Sequence, residues 1–181
     1  YINSNQAKRD GTISKDKIVL IVGDFLEEST SKQLNILSSA LVGIDQPVHY
    51  IIKLHPACLI NIEDFPSLNG EVSTKPIHEL MLVSDIVYSG VITSAAIEAH
   101  CAGLPVIKYL DGKILNMSPL RGSKSVYFVK NPEDLSSAIN GIEVNDLSQK
   151  ERYFYLDPGL PRWKKWLIND FGKNEQIEGN S

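Results

Sequence analysis

What this sequence has least of is cysteine, methionine and tryptophan, two of each in 181 residues. Cys58 and Cys101 lie in apolar surroundings and form no CxxC pair. That argues against a disulfide framework or a thiolate metal site, and for two reduced core residues of a cytoplasmic protein. A surplus of positive charge is also missing. Lys and Arg number 18 against 22 Asp and Glu, a net charge of −4, so there is no basic footprint for nucleic acid or an anionic membrane. No apolar run approaches the ~20 residues that a transmembrane helix needs, and no signal peptide is visible. The first residue is Tyr1 rather than Met, from which a piece of a longer protein is expected.

What is present is an ordinary globular composition, 43% hydrophobic and 22% charged, in a chain long enough for one real core. Residues 1–16 are polar without periodicity and read as a lead-in or linker. Residues 172–181 read as a polar, mobile tail. Between them, 17–171 alternates strand and helix patterns. "KIVLIVGDF", "VHYIIKLHPA", "DIVYS", "LPVIKY" and "SVYFV" are apolar strand runs, with "GEVST" a weaker one. Leu34, Leu37, Leu41 and Ile44 share one helical face, as do Ile77, Leu80 and Met81. "NPEDLSSAINGI" opens with Asn131 as N-cap, Pro132 at the first position and acids in the first turn. "PGLPRWKKWLINDF" reads as a last helix. Strands that are apolar throughout imply a parallel sheet covered on both faces. The expected fold class is therefore α/β, a Rossmann-like parallel sheet of about six strands with helices on both faces.

In such sheets ligands bind beyond the carboxyl ends of the strands, so the residues there carry the functional reading. Gly23 follows the first strand; it permits a close turn, and GxGxxG is absent. Lys53, His55 and Pro56 end the second strand. Lys53 is unexpected in an apolar strand, where an unpaired ammonium is costly. Lys53 and His55 contacting a phosphate is one reading; a snorkelling Lys and a core His is the other. The stretch "SGVITSAAIEAHCAGLPVI" holds Gly90 for the turn, and Thr93 and Ser94 at a helix start. There, unpaired N–H groups would form an anion site, while plain N-capping needs no ligand. Glu98 sits among alanines in a helix that looks buried, where a carboxylate must find a partner. Two ribose hydroxyls would serve, and so would a structural Lys or Arg. Gly103 and Pro105 end that helix.

These residues resemble the C-terminal, donor-binding half of GT-B glycosyltransferases, in which a Ser/Gly-rich loop, an acidic helix and a "GxPVI" strand occur in this order. Many bacterial cell-surface sugar transferases carry the pattern, and UDP-N-acetylglucosamine 2-epimerases are similar. The resemblance runs in order from Lys17 to about Ile142. It implies that Glu98 binds the nucleotide ribose and that Thr93 and Ser94 bind the diphosphate. "KLHP" resembles the His-Pro motif of bacterial polysialyltransferases and CDP-glycerol glycerophosphotransferases. That implies a phosphate contact for His55, the candidate catalytic residue, with Lys53 beside it. "GVITSA" has fewer Ser and Thr than those families place in the loop, so CMP-, CDP- and UDP-linked donors all stay open. "RWKKWL" resembles the C-terminal helix that crosses back to the N-terminal GT-B domain.

A nucleotide-sugar is therefore the expected ligand, with no cofactor and no metal, since no DxD-like motif lies near a strand end. The departing phosphate would be met by helix N–H groups, Thr93, Ser94, His55 and Arg121. The expected partner is the N-terminal GT-B domain of the same full-length protein. Without that acceptor domain the chain is expected to be inactive. The location expected is cytoplasmic, with the inner membrane face left open. Alternatives are an epimerase-like or CDP-glycerol phosphotransferase-like domain or, in another class, a receiver-like or other non-catalytic nucleotide-binding module. A receiver would need clustered acids after its first strand and a phosphorylatable Asp after its third; only Asp24 follows the first, and "GEVSTKP" has none.

Overall fold

The computed structural model describes residues 16–113, 115–143 and 159–171, the side chains of the last stretch as far as Ile168. The expected lead-in (all but Asp16) and the expected tail lie outside the described residues. The elements run β1 (Lys17–Val22), α1 (Glu27–Ala40), β2 (Val48–Lys53), β3 (Gly70–Val72), α2 (Ile77–Val83), β4 (Ile86–Ser89), α3 (Ala95–Cys101), β5 (Val106–Tyr109), β6 (Val126–Val129), α4 (Pro132–Gly141) and α5 (Pro161–Phe171). The chain divides into two compact units, residues 1–151 and 152–181. The sheet belongs to the first unit. α5 belongs to the second, and its described side chains, Trp163 and Trp166 among them, are exposed.

All six strands pair in parallel, in the order β3-β2-β1-β4-β5-β6. The order reverses direction between β1 and β4, which makes their carboxyl ends the topological switch point. This is the six-strand Rossmann arrangement and differs from the 2-1-3-4-5 order of a receiver.

Alternate residues of each strand feed two separate cores. Val19 and Ile21 of β1, with Tyr50, Ile52, Ile86 and Tyr88, pack on Leu34 and Leu37 of α1 and Leu135 and Ile139 of α4. Leu20, Val22, Ile51, Val87 and Val106 pack on Leu80 and Met81 of α2 and on Ala95, Ala96 and Ala99 of α3. The period of two along a strand sends neighbours to opposite faces, so one apolar run supplies both layers.

Polar groups fix the edges of this arrangement. Asn131 caps α4, its side chain accepting from Asp134 N–H at 2.8 Å. At the other end of α4, Lys17 Nζ donates to the carbonyls of Ile139 and Ile142, both at 2.8 Å. The ammonium satisfies carbonyls that a helix end leaves without partners. Burial lowers the Lys17 pKa, and the charge of Asp85 offsets part of that. The Asp85 carboxylate accepts from Ile18 N–H at 2.8 Å, joining the entry of β4 to β1.

Two expectations need correction. Cys58 is buried, but Cys101 is exposed. Glu98 is exposed as well. α3 buries Ala95, Ala96, Ala99 and His100 on one face, and Glu98 and Cys101 fall on the other. The helix meets the sheet through its alanines and His100, so its exposed carboxylate needs no buried partner.

Candidate functional site

The loops at the carboxyl ends of β1 and β4 are built around one carboxylate. Gly23 N–H donates to the Lys53 carbonyl and Gly90 N–H to the Val22 carbonyl, both at 3.1 Å, which extends the sheet one residue beyond β1 and β4. Asp24 follows, 1% exposed. Its carboxylate accepts from Ser29 Oγ at 2.6 Å and from the backbone N–H groups of Val91 (2.9 Å), Ile92 (3.1 Å) and Thr93 (2.9 Å). Asp24 N–H and carbonyl are both bonded to the Thr30 hydroxyl, at 2.9 and 3.0 Å. Gly90 makes this approach possible, because a Cβ there would lie 2.5 Å from Asp24 Oδ2. Charge-assisted bonds of this kind are the strong ones, and here three successive loop amides share one anion.

This narrows the expected anion site to the helix start itself. The amides of Val91, Ile92 and Thr93 are not left over for a ligand; the chain's own Asp24 takes them. The Ala95 amide is also engaged, donating to Thr93 Oγ1 at 3.2 Å. Ser94 occupies the cap position of α3 without a side-chain capping bond.

Beside this loop lies a cleft of about 300 Å³, at the lower end of the size that holds a small ligand. One wall is residues 91–94 and the start of α3, the other is residues 115–119, and Lys108 and Leu110 lie between them. Thr93 and Ser94 therefore line it, as do Asn116 and Ser118, which the sequence reading did not single out. Lys108 is 4% exposed, and its Nζ donates to the Gly90 carbonyl at 3.0 Å. Desolvation lowers its pKa, and the negative charge of Asp24 works against that shift.

The remaining expected residues lie elsewhere. Gly23 packs against Thr30, where a Cβ would come within 2.9 Å of Thr30 Cγ2. Lys53 Nζ donates to the Thr74 carbonyl at 2.9 Å, beyond the edge strand β3. His55 and Pro56 are exposed. His55 Nδ1 accepts from Ala57 N–H at 3.1 Å, and its ring meets Phe25 edge-on at 6.3 Å. With Nδ1 accepting, the neutral ring carries its proton on Nε2, which is a donor. β2 lies two strands from β4, so His55 stands roughly 10 Å across the sheet from the β4 loop. Glu98 is one turn after Ser94, and no described residue bonds or pairs with its carboxylate. Arg121 is exposed, and its N–H donates to the Ser118 carbonyl at 3.3 Å; its side chain does not line the cleft. Among the described residues, no three His, Cys, Asp or Glu side chains gather as metal ligands would. No described helix is long and apolar enough to cross a membrane.

No family profile matches the chain, and no curated protein does. Among solved structures, the chain is similar to the wall teichoic acid polymerase TagF, with 16% identity and a TM-score of 0.53 over 91% of this chain and 46% of that one. It is also similar to CalG4, the calicheamicin glycosyltransferase, with 13% identity and a TM-score of 0.58 over 89% of this chain and 44% of that one. The chain thus spans less than half the length of either protein. At such identities the likeness concerns the fold, and the fold is that of a GT-B glycosyltransferase domain.

Proposed function

We propose that this chain is the donor-binding half of a glycosyltransferase that makes bacterial surface carbohydrate, and that it holds a nucleotide-sugar in the cleft between the β4 loop and residues 115–119. The observation that carries the reading is the position of that cleft. It lies at the carboxyl ends of β4 and β5, beside the switch point, in a sheet with the fold of a GT-B domain. The hydroxyls of Thr93 and Ser94 face the diphosphate. Glu98, one turn further along α3 and without a partner among the described residues, accepts from the ribose hydroxyls. His55, outside the cleft and roughly 10 Å across the sheet from the β4 loop, is the donor proposed to meet the departing phosphate where the ligand extends from the cleft over the switch point. The acceptor and the rest of the active site belong to a second, N-terminal domain, so the chain alone binds donor without transferring it. The surface-carbohydrate assignment rests on the resemblance of "SGVITSAAIEAHCAGLPVI" to cell-surface sugar transferases and on the likeness to a wall teichoic acid polymerase.

Calorimetric titration with CMP, UDP and ADP tests this. A pyrimidine nucleotide should bind, and its 2′-deoxy form should bind less well. Absence of binding by all three would refute the reading. A CDP-glycerol phosphotransferase-like domain is the second reading. It uses the same cleft, and the likeness to a wall teichoic acid polymerase is the observation that favours it.

A further inference from the structure

The polar groups of the cleft are biased towards donors. Thr93 Oγ1 already accepts from the Ala95 amide, Asn116 Oδ1 from the Ser118 amide at 3.0 Å, and Ser118 Oγ from the Leu120 amide at 3.3 Å. In each case the bond within the protein uses an acceptor and leaves the donor: two hydroxyl protons and the Asn116 amide NH₂. Ser94 adds another hydroxyl. Among the described residues Lys108 is the one charged side chain lining the cleft, and an ammonium has three donors, of which one goes to the Gly90 carbonyl. The other lining side chains are apolar. Such a set is complementary to a group with many acceptors and negative charge. The loop amides that would otherwise receive that group are held by Asp24.

We propose that Lys108, with Asn116 and Ser118, forms an oxyanion-binding site that receives a phosphate group of the ligand. The assignment rests on the reading of the cleft as the donor site. It differs from the expected arrangement in that the phosphate is met by a strand lysine and the 115–119 segment, rather than by the amides of the β4 loop. Asp24 lies behind that loop as a fixed counter-charge, which lets an ammonium remain at the site before an anion arrives.

The test is calorimetry on the full chain with inorganic pyrophosphate, cytidine, CMP and CDP, using the wild type, Lys108→Met and Asn116→Asp. Wild type should bind pyrophosphate and should bind CDP more tightly than cytidine. Lys108→Met should weaken pyrophosphate and CDP by roughly 10- to 150-fold, the range for a lost charged hydrogen bond, and leave cytidine unchanged. Asn116→Asp keeps the acceptor for the Ser118 amide and replaces a donor with a negative charge. It should weaken the same two ligands even if Lys108→Met fails to fold. Equal affinities of CDP for wild type and both variants would overturn the oxyanion site while leaving the donor reading intact. Pyrophosphate binding that depends on Lys108, with no nucleotide binding, would keep the site and refute the donor reading. Binding of neither would overturn both.

Discussion

The carboxyl ends of β2 and β5 each place one lysine in a largely apolar strand, and the two side chains go to opposite environments. Lys53 reaches over the sheet edge to the Thr74 carbonyl, with its head at the surface. Lys108 donates to the Gly90 carbonyl from a position that is 4% exposed. Each makes one bond to a backbone oxygen, so local hydrogen bonding does not separate them. Their places in the sheet do not separate them either, since β2 and β5 are each second from an edge. What differs is the cover: the alanines of α3 pack beside Val106 of β5, and Lys108 is 4% exposed. Lys53 keeps its head at the surface, but Lys108 has lost most of its contact with solvent, a cost offset in part by the Gly90 carbonyl and the charge of Asp24. Lys53 is therefore satisfied by the Thr74 carbonyl and solvent, while Lys108 is the lysine proposed to meet an anion.

The largest expected effect lies at the carboxylate between the two ends. Asp24→Ala removes the acceptor shared by Ser29 and three loop amides. It should cost about 2–4 kcal/mol, since unsatisfied buried donors carry about 1–3 kcal/mol each and the loop is partly open to water. Urea unfolding measures it, and a loss under about 0.5 kcal/mol would mean that the loop does not depend on Asp24.

Next is the pH dependence of stability that Lys108 imposes. Its folded pKa lies below the ordinary value of 10.5 because of burial. Between the folded value and 10.5 the unfolded chain binds the extra proton, so stability from this group rises with pH through that window. Lys108→Met should flatten the rise, leaving the part of the same sign that comes from Lys17. Tyr50, pushed up to about 12 by burial, acts oppositely. Its contribution is complete below about pH 10 and is lost as pH climbs through the folded value. Urea unfolding of both proteins across this range should separate the slopes, and identical slopes would show that Lys108 is not desolvated.

Much of the fold was legible because parallel strands buried on both faces read as continuous apolar runs, as in "KIVLIV" and "IVYS". Leu34 and Leu37 were correctly placed on a buried face, although the helix gives way to a 3-10 turn at Leu41. The site was less legible. Glu98 seemed buried because alanines carry no hydrophobic period, so the sequence around it does not show which face meets the sheet. Asp24 binds amides 67–69 residues away, a relation that local spacing cannot show. Lys108 did have a signal. A charge inside an apolar strand marks Lys53 in "VHYIIK" and marks Lys108 in "VIKY" equally.

A smaller effect is expected at the rim. Glu98→Gln should change stability by no more than about 0.5 kcal/mol, because the side chain is exposed. If its ribose role holds, pyrimidine-nucleotide affinity should still fall by about 10-fold or more. The 2′-deoxy ligand should lose little further affinity; an equal loss for both ligands would remove Glu98 from the ribose. The smallest effect belongs to the β2 end. Lys53→Met should leave nucleotide affinity unchanged in calorimetry and alter stability by about 0.5 kcal/mol or less. A loss of affinity comparable to that of Lys108→Met would erase the distinction between the two lysines.

Amide chemical-shift mapping of the nitrogen-labelled chain during titration with CDP or UDP tests the central claim most directly. The largest perturbations should fall on residues 91–94 and 115–119, with smaller ones near His55. Perturbations confined to residues 53–57, with the β4 loop and residues 115–119 unchanged, would place the ligand at the other end of the sheet and contradict the account.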